Sequence, residues 1–432
     1  MPSFLDKIRF VDILGELVTI DSEVMTTMEF DKVIGNCVKA VFNITSAGTS
    51  ITLNFEDKTV IDWGDGTINN DTLSHEYTTV GNYTCYIYGI TNIGISAFQN
   101  CRRLTSVTIP DSVTSIGVSA FKNCTALTSI TIPDSVTSVG EGAFNGCSSL
   151  ESITIPFVGG SKKTATDTYQ YPFGYIFGTS QYTGGTATIQ QYYGSSTSST
   201  TSSTYYIPSS LKSVTVTGGE ILYGAFYNCT ALTSIIIPNS VTNIGDDAFF
   251  NCNALASVTI PDSVISIGSS AFYYCSGLTS VIIGNGVTNI GSSAFFNCSG
   301  LTRITIPGSV TTIGVRAFQS CGSLKSVIID NGVKYIYSYA FYNCNKLVSI
   351  TIPDSVIYIA DYAFDGCSLL TIYFEGTSTP DDWDPDFNPL DRPIYYECKN
   401  IDLSKYTVIK TSNSEVQGAN GIIIITIKSS SN

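Results

Sequence analysis

Residues 104–117 read LTSVTIPDSVTSIG. Val107 and Ile109 alternate with Ser106 and Thr108, and with Leu104 ahead of them they predict a short strand with an apolar inner side and a hydroxyl-bearing outer side. Pro110 has no N–H to continue a ladder, and Pro-Asp-Ser is turn chemistry. Val113 and Ile116 predict a second short extended piece, and Gly117 permits the next bend. Beyond it Ile116, Ala120 and Cys124 fall at the i, i+4, i+8 spacing of a buried helical stripe, with Phe121 beside them, which predicts a short helix or 3₁₀ turn.

The same unit returns along most of the chain. Ala-Phe-x-x-Cys occurs ten times, with cysteines at Cys101, Cys124, Cys147, Cys229, Cys252, Cys275, Cys298, Cys321, Cys344 and Cys367, and all steps but one are 23 residues. A unit this short cannot enclose its own Leu, Val, Ile, Ala, Phe and Cys, so successive units must stack coil on coil into a β-rich solenoid. The asparagines before the cysteine, Asn100, Asn123, Asn228, Asn251, Asn297 and Asn343, suit a left-handed exit. The ten cysteines should form an inner ladder of reduced thiols that pack as small apolar groups. Cys37, Cys85 and Cys398 stand outside that ladder and stay unassigned.

These units resemble the 23-residue leucine-rich repeats of BspA-like bacterial surface proteins, over about residues 93–375. The resemblance implies a right-handed solenoid of short strands with short helical or 3₁₀ turns, a role in adhesion or protein recognition, and no catalytic residues.

The outward positions form ladders of their own. The first is Ser106, Ser129, Ser152, Ser213, Ser234, Ser257, Ser280, Arg303, Ser326 and Ser349. In the second, Thr259, Thr305 and Thr351 interleave with Ile236, Ile282 and Ile328, a 46-residue superperiod. Thr259, Ile282, Thr305 and Ile328 are therefore candidate contacts on a flat, neutral, amphipathic sheet fit for protein or glycan. A stripe after each buried Phe, Tyr227, Phe250, Tyr273, Phe296 and Tyr342 with Gln319 interrupting, either shields the core edge or stacks on sugars or a partner.

Between Cys147 and Cys229 the step is 82 residues, as though one coil were opened into an excursion over 157–207. "YPFGYIF" resembles a distorted Ala-Phe turn, and 195–204 is the low-complexity run SSTSSTTSST. Tyr with Ser, Thr and Gly is the mixture of antibody paratopes, so Tyr169, Tyr171, Tyr175, Tyr182, Tyr192 and Tyr193 are candidate binding residues, the alternative being an inert or merely packed surface insertion.

The flanks depart from the repeat. Trp63-Gly-Asp-Gly-Thr67, followed by His75, Tyr77, Gly81 and Tyr83, resembles PKD-type β-sandwich domains, and 40–92 reads as a partial sandwich capping the first coil. Residues 376–432, with "GIIIITIK" as a strand, read as the C-terminal cap, and 1–39 as a docking or attachment segment with a possible assembly partner.

Charge excludes some partners. The net charge is −14 and only 13% of residues are charged, so nucleic acid and anionic membrane are not expected partners. No apolar run is long enough to span a bilayer, and Asp12, Glu16 and Asp21 interrupt any signal-peptide core. One histidine, His75, falls within the PKD-like match, and no nucleophile, phosphate or dinucleotide motif stands out, so no enzyme and no cofactor is expected. Asp384, Asp386 and Asn388 have the first spacing of a calcium loop, but Pro389 replaces its glycine and no Glu closes it, so no metal is assigned. The expectation is a noncatalytic adhesion protein, extracellular or on the cell surface, binding a host protein or glycan. The alternative is a virion-associated structural or receptor-binding protein held by 1–39.

Overall fold

The computed structural model describes residues 37–55, 59–69, 72–162, 172–193, 200–388 and 394–396. Within them the chain winds into a β-solenoid of about 12 turns. On one side, the strands Leu104–Thr108, Ser129–Thr131, Ser152–Ile155, Ser213–Val216, Ser234–Ile236, Ser257–Ile260 and Ser280–Ile283 stack in parallel, and Arg303–Ile306, Ser326–Ile329, Ser349–Ile352 and Thr371–Phe374 form the stack that follows. Register sets like upon like, Ser129 on Ser152 and Ile130 on Ile153, so the period-2 alternation keeps one set of positions out and the other in along the whole stack. The second extended piece supplies two-residue strands, such as Asn243–Ile244 and Ser266–Ile267, stacked in a second sheet.

The third side corrects the expected helix. Ala120 N–H bonds to Gly117 C=O at 3.3 Å and Cys124 N–H to Phe121 C=O at 3.1 Å, which are turns within the coil. Alternate N–H groups reach the next coil instead, Phe121 to Ala143 C=O and Asn123 to Asn145 C=O, both at 2.7 Å, while Lys122 N–H between them bonds Ser119 C=O within the coil. Ser119 and Asn123 hold left-handed φ of 56° and 61°, which a right-handed helix cannot contain. The apolar stripe is satisfied by turns because half of its amides serve the neighbouring coil.

Phenylalanines fill the interior as one ladder. Phe98 and Phe121 stack at 5.1 Å, and the series from Phe226 to Phe364 repeats this at 5.0–5.6 Å. Each thiol then does more than fill space: Cys124 Sγ donates to Phe98 C=O and Cys147 Sγ to Phe121 C=O, both at 3.1 Å, and the pattern recurs from Cys252 to Cys367. The twelve described cysteines are all buried and none is in a disulfide, and Cys398 lies outside the described residues.

The excursion 157–207 is an opened coil. Its 3₁₀ turn Phe173–Phe177 takes the Ala-Phe place: Phe177 packs on Phe144 and Phe173 on Phe226, which carries the ladder across. Gly142 and Phe144 N–H donate to Tyr175 and Ile176 C=O as they would to an ordinary coil. Beyond it the chain forms an antiparallel hairpin, Gly185–Tyr193 against Thr200–Pro208, so residues 200–204 of the low-complexity run are strand. Gln190, fully buried, splices the hairpin into the stack: its Oε1 accepts Gly174 N–H at 2.6 Å and its Nε2 donates to Tyr227 C=O at 2.9 Å.

Both ends are closed by mimicry. Strands β1 (Val38–Ile44), β2 (Thr49–Thr52), β3 (Val60–Asp62), β4 (Ile68–Asn69), β5 (Ser74–Tyr77) and β6 (Gly81–Tyr88) precede the coils. β1 lies between β6 and Leu104–Thr108, antiparallel to both, so it extends the coil sheet, while β2 pairs with β5. Asn54 stands in for the missing earlier coil: its N–H donates to Ala97 C=O at 2.8 Å and its side-chain amide to Ile95 C=O at 3.0 Å. At the far end Tyr362 and Phe364 N–H donate to Asp386 and Phe387 C=O, and Trp383 packs on Phe374 at 4.9 Å and on Phe387 at 5.2 Å. Residues 1–36 and the GIIIITIK segment lie outside the described residues.

Candidate docking surface

The serine and threonine positions of the main sheet face outward as their alternation requires. Thr215 pairs with Ile236, Thr259 with Ile282, Thr305 with Ile328 and Ile328 with Thr351, so the superperiod is a real alternation of adjacent rungs. Ile236 is 55% exposed, Ile282 59% and Ile328 38%, and Thr259 and Thr305 are exposed beside them. With strands about 4.8 Å apart, the isoleucines recur about every 10 Å along a hydroxyl-coated face.

The insertion tyrosines divide. Tyr169 and Tyr171 lie outside the described residues. Tyr175 packs against the core, and Tyr182 is half-buried with its hydroxyl enclosed. Burial pushes the Tyr182 phenol well above its usual range. Tyr192 shares a 3.1 Å hydrogen bond with Ser203 across the hairpin, and Tyr193 stacks on Tyr223 of the following coil at 4.4 Å. These four are packed residues with partial exposure.

Tyr193 and Tyr223 instead lie at the aromatic edge. Tyr227, Phe250, Tyr273 and Phe296 stack face to face at 4.6, 5.0 and 4.5 Å with planes within 5°. Two residues that sequence reasoning passed over join them. Tyr274, 42% exposed, stands at about a right angle to Tyr273, Phe296 and Phe250. Asp247 lies under Tyr223; burial raises its carboxyl to about 6, with Tyr223's hydrogen bond pulling down and Asp246 pushing up. The signal for Tyr274 was available, since it stands where other units carry Asn.

Elsewhere the polar groups serve the fold. His75 meets Asp65 at 2.7 Å and stacks on Trp63 at 5.2 Å, while Tyr77 donates to Trp63 C=O, a cluster that holds β3 to β5. Asp384 accepts Asp386 N–H at 2.8 Å and so caps its own 3₁₀ turn. Among the described residues no group of three or more His, Cys, Asp or Glu is arranged to hold a metal, and no helix is long and apolar enough to cross a membrane.

The coils match a known repeat family. The BspA type leucine-rich repeat region matches in six copies, over residues 91–217, 219–347 and 311–381. A leucine-rich repeat protein of T. pallidum is 31% identical over 37% of this chain and 77% of that one, with a TM-score of 0.35. One from Bacteroides ovatus is 23% identical over 83% and 93%, with a TM-score of 0.38. A leucine-rich cell surface protein of Faecalibacterium prausnitzii is 25% identical over 77% and 97%, with a TM-score of 0.27. No curated protein matches the chain. Because the match spans more than half of the sequence and falls on the coils themselves, this chain belongs to the BspA-type leucine-rich repeat family.

Proposed function

We propose that this is a noncatalytic recognition protein that acts outside the cell, docking a protein or glycan of a host surface on its main strand face. The observation that carries this reading is the row Ile236, Ile282 and Ile328, exposed on every second strand of the two successive stacks, whose other outward positions are mostly Ser and Thr. Isolated exposed apolar residues are ordinary, but three in register on a rigid, nearly uncharged wall form a repeated contact whose small terms add along the solenoid. Membership in a family of repeat proteins agrees with this, because stacked coils present extended surfaces and hold them rigidly. The sole histidine is committed to Asp65 and Trp63, and the buried thiols are held protonated, so the groups best suited to acid-base or nucleophilic work are engaged in packing.

The test is the intact chain applied to arrays of extracellular-matrix proteins and of glycans, beside the triple variant Ile236→Lys, Ile282→Lys, Ile328→Lys. Saturable binding that drops at least about tenfold in the triple variant, with an unchanged circular dichroism spectrum, is expected. Absence of any binder, or a binder indifferent to all three lysines, overturns the assignment of this face.

A further inference from the structure

Every coil holds its residue before the cysteine in the left-handed region, and the chain meets that demand in most units with Asn or Gly. The asparagines do more than tolerate it. Asn123 Nδ2 donates to Asn100 Oδ1 and Asn251 Nδ2 to Asn228 Oδ1, each at 2.9 Å, so they form a polar ladder along the edge. One unit breaks this rule with a large side chain: Tyr274, at φ 59°, sits between Asn251 and Asn297. A bulky residue at positive φ is unfavourable by about 1 kcal/mol or more, and here it also interrupts the ladder. Asn would suit the backbone and continue the amide ladder.

What the tyrosine adds is an open ring. Tyr273 is covered on both faces by Phe250 and Phe296, and Phe250 on its other face by Tyr227, at 4.5–5.0 Å, so Tyr273 has only its edge free to meet Tyr274. Tyr274 lies 4.7 Å from Tyr273 at 84°, 6.0 Å from Phe296 at 80° and 6.5 Å from Phe250 at 83°. A perpendicular contact at those distances needs an edge against a face, and the remaining face is that of Tyr274 itself. One side of its ring therefore rests on the edge of Tyr273, with Phe250 and Phe296 beyond it on either side, and the other looks outward, consistent with its 42% exposure.

The interrupted ladder leaves matching polar groups on either side. Asn251 Oδ1 has lost the donor that an asparagine at 274 would supply, and Asn297 Nδ2 has lost its acceptor; among the described residues neither atom has another side-chain partner. They flank the ring one coil away on each side, about 10 Å from one another by strand spacing. An apolar plate between a lone amide acceptor and a lone amide donor matches a sugar, whose axial C–H groups stack on a ring face while its equatorial hydroxyls both donate and accept.

We propose that Tyr274, with Asn251 and Asn297, is a carbohydrate-binding site for a neutral pyranose chain laid along the aromatic edge. This rests on the recognition role proposed above but places the sugar on a different surface from the isoleucine row. The protein's net charge of −14 disfavours an acidic glycan there.

The test is an array of neutral gluco-, galacto-, manno- and N-acetylhexosamine oligosaccharides probed with the full chain, followed by calorimetric titration of the strongest binder. Tyr274→Asn installs the residue that most other coils use, so the fold is preserved and the circular dichroism spectrum should be unchanged. Binding is expected to weaken at least about tenfold in Tyr274→Asn and several-fold in Asn297→Ala, and to persist in the triple isoleucine variant. No binding to any neutral glycan, or titration of Tyr274→Asn identical to the parent, overturns the site. Glycan binding that survives Tyr274→Asn but fails in the triple variant also overturns it, while leaving the strand-face reading intact.

Discussion

Two residues in each regular coil hold a left-handed backbone, and the side chain at each decides what that conformation costs. The position before cysteine was foreseeable, because Asn recurs there and Asn tolerates positive φ. The earlier position, occupied by Ser96, Ser119, Asp247, Ser270, Ser293, Arg316, Tyr339 and Tyr362, carries no such compositional mark and appears only in the structure. Asp247 combines this backbone with a half-buried carboxyl raised to about 6 by burial. A carboxyl whose folded value is raised contributes most when protonated, below about pH 4, and its contribution is lost as pH climbs through 6. Asp247→Asn keeps the left-handed preference and removes the buried charge. It should therefore raise the melting temperature by a degree or more at pH 7.5 and leave it unchanged at pH 4; the same shift at both values would mean that the carboxyl is ordinary.

At the scale of elements, the strands and the break in the repeat were visible as patterns, and the turns were not. The spacing of Ile116, Ala120 and Cys124 is the same whether the segment is a helix or a pair of turns, because periodicity reports which side chains are buried and not where the amides bond. The insertion behaves similarly. YPFGYIF was recognisable as an altered Ala-Phe turn, yet its connection to the next coil depends on Gln190, whose role no local pattern marks. Its side chain is fully buried and satisfies one N–H and one C=O that direct coil-to-coil bonding would otherwise pair. Gln190→Ala orphans both groups, a loss of about 2–4 kcal/mol. Since stability in a stacked array is carried by neighbour interfaces, the loss falls between the coils ending at Cys147 and those beginning at Phe226. The expected thermal melt separates into two transitions by calorimetry, and a single cooperative transition at the parental temperature would refute the splice.

For the molecule as a whole, the ladder of thiols sets a limit on the alkaline side. Burial pushes Cys101, Cys147 and Cys252 up to about 12, and Cys124, Cys229, Cys275, Cys298 and Cys344 well above their usual range. Raised folded values mean that the contribution is complete below the unfolded thiol's value of about 8.5 and is lost as pH rises toward 12. At pH 10 each unfolded thiolate favours the unfolded chain by about 2 kcal/mol, and the ladder multiplies that. Cooperative loss of the circular dichroism signal is expected between about pH 9 and 11, with Cys252→Ala, Cys275→Ala moving the midpoint upward; a protein unchanged at pH 11 would show that these thiols do not titrate on unfolding. Closure of the two ends is also a property of the whole. That atypical flanks must cover the terminal coils followed from stacking alone, but that Asn54 does so with its backbone and side-chain amides depends on where β2 delivers it.

The sequence by itself determined the coil: a unit of 23 residues whose apolar positions cannot be buried alone must stack, and in-register stacking then dictates the phenylalanine, cysteine and outward hydroxyl ladders. Only the tertiary structure decided which amides point to the next coil, which insertion tyrosines pack and which ring face stays open at Tyr274. Those outcomes turn on contacts between residues a coil or more apart, where hydrogen-bond direction and ring orientation are set by the neighbour and leave no trace in local spacing.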